Sequence, residues 1–403
     1  MFPNILKLAE VCPIFKKNDY LDKENYRPVS VLPVVSKVFE RIIYHQIENF
    51  MKNKLSNQFL TGFRKGYSTQ NCLISMMELW KNIIDRGGYI STIFLDLSKA
   101  FDTLNHNLLI AKLEAYGFGV DALLYMNTYL SNRHQRVGVN SNYSPWKKVT
   151  TGVPQGSILG PLLFNIFIND LFLFVSKSFL SNYADDNTLY KYGFDIEEVN
   201  TSLQFDFTVV KSWFFENYMV LNAGKCHYMC IGNDTESREF VFEDITMKNT
   251  TEVKMLGITI DSKLNFNSHI KTLCVKASQK IGALSRLSNY LNKDEKSLIF
   301  NSMIKSHFSY CPLVWMFCSR TSNNMINRLH ERSLRIVNDD ENSDFKSLLE
   351  MNNEVSIHHR NLQVLMTELY KIKQNISVPI MENMFQDREN TFNKEIFRSL
   401  KQK

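Results

Sequence analysis

The sequence lacks the marks of several protein classes. Its seven cysteines, Cys12, Cys72, Cys226, Cys230, Cys274, Cys311 and Cys318, are odd in number and scattered without a paired CxxC framework. That excludes a disulfide-stapled scaffold and points to reduced thiols. Cys226, His227 and Cys230 lie close together, but no second Cys/His pair stands at zinc-knuckle spacing, so no zinc is assigned. No long apolar run is present either: the most apolar stretch, 158–175, is interrupted by Asn165, Asn169 and Asp170. It fails as a membrane span and reads as a buried helix. The N-terminus shows neither an arginine-rich presequence nor the order of a secretory signal, which leaves nucleus or cytoplasm as the expected location. There is no low-complexity linker and no internal repeat, only a polar connection over 338–344.

What is present fits an ordinary globular enzyme. At 403 residues the chain can build two or three subdomains, and 44% hydrophobic against 22% charged residues excludes wholesale disorder. The net charge is +6, with nearly all of the Lys/Arg excess after Lys271. A phosphate-binding segment and a solvated surface both account for such asymmetry.

Three stretches set the layout. Residues 89–97 crowd β-branched and aromatic side chains after Gly87 and Gly88, which predicts a strand ending at Asp96. The turn-rich GVPQGS from Gly152 leads into apolar residues at helical spacing over 158–171, a loop opening a buried helix. Residues 179–192 read as two strands flanking a tip of Asp185, Asp186 and Asn187. Strand, helix and hairpin in this order suggest a split β-α-β arrangement, an antiparallel sheet backed by helices. Beyond about residue 270 the pattern turns helical, with Leu284, Leu287, Tyr290 and Leu291 at helical spacing.

If strand and hairpin are neighbours, Asp96, Asp185 and Asp186 meet on one edge. Such a set suits magnesium, which takes hard oxygen ligands and completes its shell with phosphates and water. Two such ions answer the charge that builds when a hydroxyl attacks a phosphoryl group in line. Taken singly, the acids read equally as solvated turn residues and a helix cap.

Their surroundings resemble the reverse transcriptase family, specifically the non-LTR retrotransposons of jockey-like type, through an ordered series of motifs. NYRPVSVLPVVSKVFERII (25–43) and QFLTGFRKGYST (58–69) are similar to the first two fingers motifs. FLDLSKAFDT (94–103), GVPQGSILGPLLFNIFINDL (152–171) and YADD (183–186) are similar to motifs A, B and C. LNAGKC (221–226) resembles motif D, and VKMLGITIDSKLNFNSHI (253–270) the primer grip and its approach to the thumb. YCPLVWMFC and LHERSLRIV resemble helices beyond the thumb.

The resemblance implies an α+β right-hand polymerase. Fingers and palm occupy 1–265, with an antiparallel sheet backed by helices, and 266–403 form a helical thumb and C-terminal extension. It makes Asp96, Asp185 and Asp186, with the backbone carbonyl of Leu97, the ligands of two Mg²⁺ ions. Phe101 would stand beneath the incoming sugar and disfavour a 2′-hydroxyl, with Gln155 and Gly156 beside nucleotide and template. Arg64, with Lys65 second to it, would clamp the triphosphate, and Lys225 would give a proton to pyrophosphate. Asp102 and His106 receive no catalytic role. The implied partners are an RNA template, a DNA primer and dNTPs, with no membrane.

No phosphodiesterase endonuclease precedes Met1, so one is expected from another chain or is absent. Residues 1–15 resemble the interior of the family pattern. Both points keep a second reading open, a nucleic-acid-binding remnant without catalysis. Among enzymes, group II intron and retron reverse transcriptases share the acids but not the wording of the first fingers motif. Viral RNA polymerases usually carry GDD and a smaller residue at the place of Phe101.

Overall fold

The computed structural model describes residues 1–16, 19–55, 57–233, 239–242 and 245–386. Two compact units emerge, Met1–Lys65 with Ser91–Tyr228 and Phe240–Met247, and Gly66–Ile90 with Met229–Glu239 and Lys248–Lys403. The chain is α+β, with antiparallel strand pairs backed by helices, as the sequence pattern predicts.

In chain order the strands that matter for the site are β1 (Leu8–Phe15), β2 (Tyr26–Val31), β3 (Tyr89–Leu95), β4 (Arg133–Val139), β5 (Asn142–Tyr143), β6 (Lys147–Val149), β7 (Phe179–Tyr183), β8 (Asp186–Gly193) and β9 (His227–Ile231). One sheet has the order β2-β1-β4-β5 with β6 also on β4, and another the order β7-β8-β3-β9. In the first sheet β1 is antiparallel to β2 and parallel to β4.

β3 is buried on both faces from Ile90 onward, which explains a near-continuous run of β-branched and apolar residues in place of alternation. The strand stops at Leu95, so Asp96 is the first residue beyond it. The helix Leu159–Ile168 buries every side chain except that of Pro161, as expected of a helix apolar all round. Its N-terminal amides need an acceptor, and Glu40 on the helix Val34–Met51 supplies it. The Glu40 carboxylate, 0% exposed, accepts from the N–H groups of Ile158 at 2.6 Å and Leu159 at 3.2 Å and from the Ser36 hydroxyl. Past the other end of this helix, Lys112 donates to the Phe167 carbonyl and the Asp170 carboxylate, both at 2.8 Å. Asp206, also 0% exposed, accepts from the amides of Ser176, Lys177 and Ser178 and so anchors the chain entering β7.

The hairpin tip differs from the sequence expectation by one residue. Tyr183 pairs with Asp186, so the turn consists of Ala184 and Asp185, while Asp186 and Asn187 already belong to β8. Ala184 takes φ +58°, a conformation that sequence reasoning reserves for Gly, Asn or Asp.

The second unit is mostly helical after residue 266. In its helix Asn267–Leu287 the inward stripe is Ile270, Leu273, Ala277, Ile281 and Leu284. Leu287 and Tyr290, expected on the same face, are 51% and 85% exposed, because the helix ends at Leu287 and the following turn leaves its period. No helix among the described residues is long and apolar enough to cross a membrane.

Candidate active site

Three segments build the acidic edge. Asp96 leaves β3 and is tied at once to the segment around Leu221: the Asn222 amide donates to the Asp96 carbonyl at 2.9 Å and the Ser98 amide to the Val220 carbonyl at 2.8 Å. Leu97 and Leu221 thus form an isolated antiparallel bridge. This pairing brings Lys225 to Asp96, Nζ to Oδ2 at 3.6 Å.

The hairpin tip is braced from the side. The Thr61 amide donates to the Asn182 carbonyl at 3.0 Å and the Asn182 amide to the Phe59 carbonyl at 2.9 Å. The Asn182 side chain donates to the Ala184 carbonyl at 2.7 Å, and Asn165 donates to the Gly62 carbonyl at 2.7 Å. A Cβ on Gly62 would stand 2.3 Å from the Ala184 amide nitrogen, so only glycine lets this loop lie against the turn. Gly62, Asn165 and Asn182 were not singled out by sequence reasoning. A glycine inside the 58–69 motif was the available signal.

Asp186 feels both other acids. Burial of its carboxyl first, then the charges of Asp185 and Asp96, push its pKa up to about 6. By surface area the residue is exposed, whereas its carboxyl is largely enclosed by neighbouring atoms. Two nearby carboxylates oppose a third negative charge.

A divalent cation fits this cluster, which has excess negative charge and Lys225 as the cation paired to Asp96. Among the described residues no group of three His, Cys, Asp or Glu side chains is arranged so that it could hold a metal ion by itself. Magnesium does not need one, since it commonly uses one or two carboxylates with phosphates and water. In the pairing with the Leu221 segment it is the Asp96 carbonyl that accepts; the Leu97 carbonyl is not used by either bond.

The remaining candidates surround this edge unevenly. Phe101 stacks on Phe164, centroids 4.6 Å apart, and meets Phe63 edge-on at 6.0 Å. Gln155 is held at both ends, its side-chain amide donating to Asp102 at 3.0 Å and its carbonyl accepting from the Ser30 amide at 2.8 Å. Burial raises the Asp102 pKa, against the Gln155 hydrogen bond and Lys99. Gly156 has φ +133°, and a Cβ there would lie 2.4 Å from the Ser30 carbonyl oxygen. Its glycine is therefore required by packing on β2. Arg64 Nη1 donates to the carbonyls of Asn57 at 2.6 Å and Leu60 at 2.9 Å, so part of its donor fork holds its own loop. His106 Nε2 donates to the Gly152 carbonyl at 2.7 Å.

Comparison with known proteins places these features in one family. The RNA-directed DNA polymerase from mobile element jockey of Drosophila melanogaster is 28% identical over 350 residues, 83% of this chain and 38% of that protein. Its counterpart from Drosophila funebris is 27% identical over 349 residues, again 83% and 38%. The chain thus spans about two fifths of the length of these relatives. Among solved structures, a telomerase from Candida tropicalis in complex with a fragment of telomeric RNA aligns at 12% identity over 96% of this chain and 62% of that one, TM-score 0.45. The model of the family described as reverse transcriptase (RNA-dependent DNA polymerase) matches residues 14–260, and that span, more than half the chain, contains the acidic edge, its braces and the loops around it. The chain belongs to the reverse transcriptase family.

Proposed function

We propose that this chain is the polymerase core of a non-LTR retrotransposon of jockey-like type, extending a DNA primer 3′-hydroxyl with dNTPs on an RNA template. The observation that carries the reading is the sheet order, in which β8, beginning at Asp186, neighbours β3, which ends one residue before Asp96, although the two segments are far apart in sequence; the raised pKa of Asp186 agrees with it. Fingers and palm would occupy 1–265 and the helical thumb 266–403.

Asp96, Asp185, Asp186 and the Leu97 carbonyl would hold two Mg²⁺ ions. When bound, such ions supply Lewis acidity at the primer hydroxyl and neutralise triphosphate charge. Phe101, its ring fixed by Phe164, would close the space under the sugar against a 2′-hydroxyl. Gln155 and Gly156, held on β2 through Ser30, would form a rigid wall beside the base pair. Lys225 would protonate the departing pyrophosphate, and the guanidinium of Arg64 would clamp phosphate oxygens.

The test is primer extension on an RNA template by purified protein with Mg²⁺, comparing dNTPs with NTPs and wild type with Asp185→Ala. Extension with dNTPs that falls by roughly a thousandfold in the variant is the expected result. Binding that survives chelator, weakens with salt and yields no extension would replace this reading with a non-catalytic nucleic-acid-binding remnant.

A further inference from the structure

A cleft of about 290 Å³ opens in the first unit, lined among others by Lys7, Ser30, Asp102, Arg133, Lys148 and Gln155. Two of its cations are deeply covered, Lys7 at 3% and Arg133 at 2% exposure. Both stand at the start of the β1–β4 pair. β1 runs parallel to β4 with Leu8 opposite His134; Lys7, the last residue of the short 3-10 helix that leads into β1, and Arg133, the first residue of β4, precede that pair. Their like charges oppose each other.

Among the described residues Asp102 is the one acid that lines the cleft with them. Arg133 donates from Nε to the Tyr129 carbonyl at 2.8 Å, and its guanidinium lies 4.4 Å from the Tyr129 ring. Its Nη1 and Nη2 are buried without a hydrogen-bond partner. The Lys7 pKa is lowered by burial and then by Arg133. Asp102, the acid of the lining, is engaged by Gln155 and influenced by Lys99. Glu40 is occupied by the amides of Ile158 and Leu159. The lining thus carries Lys7, Arg133 and Lys148 against Asp102. A buried, unpaired guanidinium is costly, and a cleft that keeps one beside a second buried cation is built for an anion.

We infer that this cleft is a phosphate-binding site distinct from the carboxylate edge, with Lys7 and Arg133 as its paired cations. Guanidinium fork and ammonium point charge are the two side-chain forms that recognise phosphate oxygens, and the Ser30 and Thr151 positions add polar lining. The phosphate can be carried by a polynucleotide strand or by a free nucleotide. The inference does not depend on polymerisation, so it is tested without it.

The experiment uses the full chain in chelator. Binding of labelled oligo(U) is followed by anisotropy across a salt series, and thermal melting is followed with inorganic pyrophosphate and with dTTP. The proteins are wild type, Lys7→Met, Arg133→Met and Lys7→Arg. For a strand phosphate, both Met variants weaken oligo(U) binding several-fold and lower the salt slope by about 0.7 to 1, while Lys7→Arg restores it. For a nucleotide phosphate, the oligo(U) slope stays and the stabilisation by pyrophosphate and dTTP is lost instead. Either result supports the site when the ligand-free melting temperature of Arg133→Met is unchanged or higher, since the substitution removes an unpaired buried charge. Unchanged binding in both assays overturns the inference. So does a lower ligand-free melting temperature in both Met variants with ligand effects intact, which would make these residues struts of the β1–β4 pair.

Discussion

Glu40 and Arg133 are both ionic side chains that the first unit takes out of water, and it treats them in opposite ways. Glu40 has every oxygen engaged: Oε2 receives the first amides of the helix Leu159–Ile168 and Oε1 the Ser36 hydroxyl. Arg133 has one donor engaged and two terminal nitrogens without partners. Asp206 and Lys112 fall with Glu40, fully tied to backbone and neighbours. Asp186, by contrast, is exposed at the acidic edge, where Asp185 and Asp96 press on it. The lesson is a division of labour: satisfied buried charges fix the helix and hairpin, and unsatisfied ones face places where a ligand of opposite charge would sit.

The largest way to break that comparison is Glu40→Leu. It strands two helix amides and a hydroxyl in a dry core, so we expect a loss of about 3 kcal/mol in stability, read as the midpoint of urea unfolding. Glu40→Gln, which keeps one acceptor, should lose less than half of that. If Leu were tolerated within about 0.5 kcal/mol, the cap would be decorative and the division of labour would fail on its structural side.

His330 in the second unit is a third case, a buried group kept neutral. It is 1% exposed, stacks on Phe300 at 5.5 Å, and neither ring nitrogen has a partner. Burial first, then Lys305 and Arg360, lower its pKa from 6.5 to about 4. The unfolded chain therefore binds a proton between those values that the folded chain refuses. Its stability contribution is complete above pH 6.5 and is lost as the pH falls toward 4, by about 3 kcal/mol in total. At pH 5 the wild type should melt lower than at pH 7 by more than His330→Phe does. A pH profile identical in the two proteins would show that His330 titrates freely. His269, also lowered to about 4, leaves a residual slope in the variant.

The sequence made the secondary elements of the site legible because each has its own period. The unbroken β-branched run of β3, the all-apolar helix Leu159–Ile168 and the paired strands of the hairpin needed no partner to be seen. The acids followed, since their positions are set by those elements. What stayed hidden depends on pairing at a distance. That Glu40 caps a helix more than a hundred residues away, or that Lys7 and Arg133 share one cleft at the start of a parallel strand pair, leaves no local pattern. The one-residue shift at the hairpin tip has a local cause: an alanine at positive φ is the choice turn chemistry disfavours.

That alanine gives the smallest and most pointed prediction. At φ +58° Ala184 carries strain of about 1 kcal/mol, which Ala184→Gly would remove. The same change deletes a methyl group that is only 7% exposed, costing about 0.8 kcal/mol, and adds backbone freedom to the unfolded chain. These terms nearly cancel, so the urea midpoint should move by no more than about 0.5 kcal/mol. Gly62 lies against the Ala184 backbone, and Asn182 holds its carbonyl; the turn therefore keeps its place in the variant, and so should the acids beside it. A loss well beyond that range would mean the methyl group, and not the brace from Gly62 and Asn182, fixes the tip. A gain of the same size would mean the strain is carried in full by the folded state, making the hairpin tip an unsatisfied element in its backbone as well as in its charge.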